Sequence, residues 1–105
     1  MILDEVRALV ARGAVKISNH GYDELAADDI FVDDAIAGLN AAKVVEDYPD
    51  YAKGRCVLTL QQDSKGLPLH IVRGIPIDQV EPAVLITAYR PDPKIWEDDF
   101  QTRRP

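Results

Sequence analysis

The groups in this sequence best suited to moving protons near neutral pH are its two histidines. His20 precedes Glu24 by four residues, so on a helix the two share a face. Such a pair would supply a general base and the group that orients it. The alternative is a helix-start histidine beside a solvated glutamate. His70 lies in the run Leu67-Pro68-Leu69-His70-Ile71-Val72-Arg73. Strand alternation sets His70 with Pro68 and Val72 on one face, and Leu69, Ile71 and Arg73 on the other. A histidine there is either a hydrogen-bonded, half-buried residue or a site residue, and an imidazole with a reference pKa of about 6.5 suits both.

Arg55, Arg73 and Arg90 fall on or at the ends of expected strands. Gathered on one sheet face, their planar forks would bind phosphate; otherwise they are surface or edge arginines paired with acids. Tyr48, Tyr51 and Tyr89 would stack on bases beside such a patch, or pack with a wet hydroxyl. His20, His70, Glu24 and Cys56 are ligand types for zinc, but no H-E-x-x-H or C-x-x-C spacing joins them, so no metal and no cofactor are expected. Cys56, the lone cysteine, reads as a small apolar strand residue and excludes an intrachain disulfide. Neither Ser18 nor Ser64 sits in a G-x-S-x-G turn, and Gly66 and Gly74 are isolated rather than part of a phosphate loop.

The elements that must position these residues follow from periodicity. Leu3, Val6, Leu9 and Val10 predict a helix over 3–12, with acids at its start and Gly13 as a stop. A short strand follows over 14–17. Ser18 is the expected N-cap of a helix over 19–27, and Asp33 or Asp34 the cap of a short helix through Leu39. Strands are predicted over 43–48, 55–62, 67–75 and 83–89, with Asp63-Ser64-Lys65-Gly66 turning a hairpin. Trp96 and Phe100 are expected to fold back onto the core, and 102–105 to fray. Helices segregated from a strand meander make an α+β domain, its helices on one face of a mostly antiparallel sheet of four to five strands.

The chain of 105 residues carries a net charge of −6 and is 47% hydrophobic, which predicts one folded domain over 1–105 rather than disorder. The charge is concentrated: residues 19–50 hold nine acids against Lys43 alone, and the remainder sums to +2. Acidity weighs against a generic nucleic-acid binder without excluding RNA at the balanced strands. No apolar run is long enough to span a membrane. The acidic start Met-Ile-Leu-Asp-Glu lacks the pattern of a signal peptide, so a cytoplasmic protein is expected.

Taken together, several blocks are similar to a family of small uncharacterised bacterial proteins that look like distant relatives of RelE-type and BrnT-type toxins. They are Ile17-Ser18-Asn19-His20, Glu24-Leu25, Asp34-Ala35-Ile36 and Lys43-Val44-Val45-Glu46-Asp47-Tyr48, then Gly54-Arg55-Cys56-Val57-Leu58, Gly66-Leu67-Pro68-Leu69-His70-Ile71-Val72 and Ile86-Thr87-Ala88-Tyr89-Arg90-Pro91-Asp92-Pro93 before Trp96. The resemblance covers about 15–97. It implies a microbial ribonuclease-like fold with the site on the sheet. It also implies cleavage of RNA by its own 2′-hydroxyl and an antitoxin protein as partner. Carried over residue by residue, His20, Arg55, His70 and Tyr89 become the catalytic residues, with Arg73 and Arg90 binding substrate. In that scheme His20 or His70 takes the 2′-hydroxyl proton while Arg55 neutralises the phosphate. The reading from another class is a non-catalytic protein-binding or self-associating module, such as a homodimer, docking through its acidic helices. The two differ in a visible requirement: catalysis needs His20, Arg55 and His70 to converge on an open face.

Overall fold

The computed structural model describes residues 2–105. Helix α1 (Ile2–Ala11) is followed by β1 (Val15–Ile17), α2 (Asn19–Ala27), α3 (Val32–Ala37), a single 3-10 turn (Leu39–Ala41), and strands β2 (Lys43–Tyr48), β3 (Cys56–Gln62), β4 (Pro68–Gly74) and β5 (Ala83–Tyr89). The strands form one sheet in the order β1-β5-β4-β3-β2. β2 to β5 pair antiparallel, and β1 adds to β5 in parallel. This is the α+β architecture expected, with β1 and β2 as the two edges.

The helices occupy one face of the sheet, and two apolar clusters join them to it. Ile2, Leu3, Val6 and Leu9 of α1 pack with Val57, Ile75 and Ala83, while Leu25, Ile30 and Ala35 pack with Leu69, Ile71, Leu85 and Ala88. Burying each of the Leu, Ile and Val side chains among them stabilises by roughly 1.5–3 kcal/mol. α2 is seated by its first turn. The Ser18 hydroxyl accepts from the Gly21 amide at 2.9 Å and donates to the Ile86 carbonyl at 3.0 Å, so one residue caps the helix and ties it to β5. Gly21 allows the approach: a Cβ there would stand 2.8 Å from the Leu85 carbonyl oxygen.

Two expectations need correction. The residue capping α3 is Phe31, which offers no side-chain cap; Asp33 and Asp34 instead lie in the first turn, where carboxylates favour the helix dipole. The end of the chain is held rather than frayed. Trp96 and Arg103 form a β-bridge, the Arg104 amide donates to the Ile95 carbonyl, and the Glu97 amide to that of Thr102. Trp96 and Phe100 do fold back, onto the face opposite the helices.

Candidate functional site

Register assigns the residues of that opposite face. His70 pairs with Leu60 and with Tyr89, Val72 with Leu58 and Thr87, Glu46 with Leu58, and Tyr48 with Cys56. Directly paired residues project to the same side, so Glu46, Tyr48, His70 and Tyr89 share one surface. The C-terminal segment lies across it. The Trp96 ring meets His70 edge-on at 4.5 Å between centroids, Tyr89 meets it at 5.3 Å, and the Arg103 guanidinium lies 4.6 Å above the Trp96 ring. Arg103 also grips Glu46 through Nε at 2.9 Å and Nη2 at 3.0 Å, and the Tyr48 hydroxyl donates to the same carboxylate.

His70 is fully buried beneath this cover, and its hydrogen bonds define its tautomer. Nε2 stands 2.7 Å from the Phe100 carbonyl, which can only accept, so Nε2 carries the proton. Nδ1 then accepts from the Tyr89 hydroxyl at 3.1 Å. Burial, with a smaller contribution from Arg103, pushes the imidazole pKa below its usual value, against the pull of the Phe100 carbonyl and Glu46. Burial also raises the Tyr89 phenol. The Arg103 and Tyr48 hydrogen bonds hold the Glu46 carboxyl below the usual carboxylate range. A neutral imidazole with both nitrogens engaged and no exposed surface is a packing group in this conformation, not a free base.

The other residues singled out in the sequence lie elsewhere. His20 stands exposed in the first turn of α2, its Nε2 3.7 Å from Glu24 Oε1, and no hydrogen bond or ring contact joins it to His70 among the described residues. Arg55 precedes β3, five positions from the residue that pairs with His70, or about 17 Å along the strand. Its guanidinium is turned to the helix side, 2.7 Å from Glu5 of α1. Arg90 clamps the end of α2 to the β3–β4 turn: Nη1 meets Asp63 Oδ2 at 3.0 Å, Nε meets the Asp28 carbonyl at 3.2 Å, and its amide meets the Asp28 carboxylate. Arg73 is buried on the helix side, Nη2 donating to the Ala35 carbonyl at 2.6 Å and to Gln61 Oε1 at 3.0 Å. The structure thus brings His70 and Tyr89 together and keeps His20, Arg55, Arg73 and Arg90 apart from them. The three arginines form no common patch, because alternation and end position send them to different partners.

Glu46, Trp96 and Arg103 complete the His70 cluster without having been singled out as site residues. The spacing of Glu46 and Tyr48 in one strand signals a shared face; nothing in the sequence foretells where Arg103 lands. A hollow of about 790 Å³ lies between the β3–β4 hairpin, α3 and the C-terminal segment. Its charged lining is Asp34, Asp63, Asp98 and Asp99 with Lys43, and none of the six candidate residues reaches it. Among the described residues no three His, Cys, Asp or Glu side chains are placed to hold a metal ion, and no helix is long and apolar enough to cross a membrane.

The other exposed feature is apolar. Phe31 is 75% exposed, Tyr22 54% and Ile36 44%, all on the acidic helices α2 and α3 or between them. An α+β domain with three helices against a five-stranded sheet, a sealed histidine cluster and an apolar, acidic helical surface is the class of protein the fold defines. The chain belongs to the DUF4258 family, a domain of unknown function whose family model matches residues 17–90. No curated protein and no solved structure matches it.

Proposed function

We propose that this protein is a non-catalytic protein-binding module that docks a basic helix with an apolar face through α2 and α3. The observation that carries the reading is Phe31. It is a large aromatic left in water between two acid pairs, Asp28–Asp29 and Asp33–Asp34, with Tyr22 and Ile36 exposed on the helices either side. Exposed aromatics with a charged rim are the usual anchors of interfaces. The surrounding acids select a cationic partner, such as a small helix-rich protein of the antitoxin kind, and oppose a symmetric pairing of this face with itself.

A synthetic amphipathic Leu/Lys helix titrated into isotopically labelled protein tests it. Amide shifts are expected to centre on Tyr22, Phe31 and Ile36, Phe31→Ser is expected to weaken binding at least about tenfold, and an acidic peptide of the same apolar pattern is expected not to bind. Shifts scattered over the surface, or indifference to Phe31→Ser, overturn the docking site.

The second reading, an RNA-cleaving toxin on a RelE-like or BrnT-like fold, is favoured by one observation. His70, Tyr89 and Glu46 share a sheet face, so displacing the C-terminal segment, and Arg103 with it, would uncover an imidazole beside a phenol and a carboxylate. Induced expression in a bacterial host separates the two. The docking reading expects normal growth. Arrest abolished by His70→Ala but not by His20→Ala or Arg55→Ala would replace it with a ribonuclease centred on His70.

A further inference from the structure

Between β1, α2 and α3 lies a cavity of about 340 Å³ whose walls include Val15, Ile17, Tyr22, Val32, Ile36 and Leu85. Among the described residues its charged lining is Arg73 and Lys16. This is unusual for its neighbourhood, since residues 19–42 hold six acids and no base, yet none of those acids lines the cavity.

Arg73 is the more informative of the two. Its side chain is almost wholly buried, and both of its hydrogen bonds leave from Nη2, to a neutral carbonyl and a neutral amide oxygen. Nε is buried with no partner. Burial alone pushes its pKa down to about 10, with no nearby carboxylate to oppose the shift. A buried guanidinium without a counter-ion is costly to keep. The orphaned Nε–H is a donor that one carboxylate oxygen satisfies with a charge-assisted hydrogen bond, Nη2 having spent its own on Ala35 and Gln61. The remaining walls are apolar, and the volume falls at the small end of ligand sites.

We propose that this cavity is a binding site for a small organic monocarboxylate with an apolar body, its carboxylate paired with Arg73 and its tail against Ile17, Val32, Ile36 and Leu85. Lys16, exposed at the mouth, draws the anion in and closes over it. A dicarboxylate or phosphate ester is disfavoured, since its second charge would lie against aliphatic walls. The site shares Tyr22 and Ile36 with the docking surface but does not rest on that reading: the helix partner is selected by acids outside, the carboxylate by cations inside, and Phe31→Ser, outside the cavity, separates the two.

Hexanoate, hexan-1-ol and hexylamine, titrated into the intact protein and followed by amide shifts and by thermal midpoint, provide the test. Hexanoate is expected to bind with a Kd on the order of 1 mM or tighter, within reach of a ligand of its size, to raise the midpoint with concentration, and to shift Ile17, Tyr22, Val32 and Ile36. Hexanol is expected to bind at least about tenfold more weakly and hexylamine not at all, as expected where a charge-assisted hydrogen bond supplies the discrimination. Arg73→Lys removes the fork while keeping a charge, and its loss of binding supports the assignment if the variant folds. Ile36→Trp, at an exposed position, fills the mouth without touching Arg73 and is expected to abolish binding with the fold intact. Equal binding of hexanoate and hexanol, shifts confined to surface lysines, unaltered binding by Ile36→Trp, or no binding of hexanoate at 10-fold above that Kd overturns the proposal.

Discussion

His70 shows how one residue type supports opposite conclusions until its partners are known. An imidazole in an apolar strand invites a general-base role, yet here Nε2–H is spent on Phe100, Nδ1 on Tyr89, and Trp96 seals the ring. The energetic consequence lies in its titration. Its folded pKa is lowered below 6.5, chiefly by burial, so between the two values the unfolded chain binds the proton more readily. The stability that the neutral ring contributes is therefore present in full above about pH 6.5 and is lost as the pH falls from there through the lowered folded value. Thermal midpoints measured from pH 7.5 down to 5 are expected to fall for the wild type. His70→Gln, which keeps polar atoms but does not titrate, is expected to be less stable at pH 7.5 and flatter over the same range. An equal slope in both proteins would assign the effect to other groups. Glu46 is separable because its own lowered pKa acts below about 4.5.

At the scale of elements, the sequence carried the strands and helices because each depends on near neighbours. Alternation in Cys56–Gln62 and Pro68–Gly74, the Asp63–Gly66 turn with Gly66 at φ +79°, and the Ser18 cap all act within a few residues. The faces were legible too: Leu69, Ile71 and Arg73 do lie on one side and His70 on the other. What the pattern does not encode is what covers each face. The segment after Pro91 has no periodicity, and its placement rests on contacts with distant residues, Trp96 on His70 and Arg103 on Glu46. Arg73 illustrates the same limit. A charged residue at an apolar register position reads as a site or an edge group, whereas here the polar Gln61 and the Ala35 carbonyl at the end of α3 make room for it in the core. The candidate site was thus legible as a list of reactive residue types and not as a convergence, because convergence is set by register and by side-chain partners far apart in the chain.

Over the whole molecule, the structure places the charge more sharply than the split at residue 50. Glu46 belongs to β2, where Arg103 neutralises it; Arg12–Glu81, Arg55–Glu5, Arg90–Asp63 and Arg104–Glu97 pair others, and outside 19–42 twelve acids face twelve bases. What remains is the stretch 19–42, with six acids and no base, equal to the entire net charge of −6. Among the described residues none of the six is ion-paired with Lys or Arg. A field of one sign on one surface acts at long range and governs the rate of encounter more than the lifetime of a complex. The association rate of the Leu/Lys helix is therefore expected to fall steeply as NaCl rises from about 20 to 200 mM, as the screening length shortens to under about 10 Å. Asp23→Asn with Asp29→Asn removes two of the six charges at positions that tolerate the change. Asp23 is exposed, and Asp29 sits at φ 52°, a conformation asparagine accepts. The pair is expected to slow association several-fold and flatten the salt dependence. Stability should change by no more than about 0.5 kcal/mol, while dissociation changes little. Asp98→Asn with Asp99→Asn, outside the helical face, removes the same net charge and serves as the control. If both pairs slow association equally, net charge rather than the α2–α3 surface governs the encounter, and the docking face must be sought elsewhere.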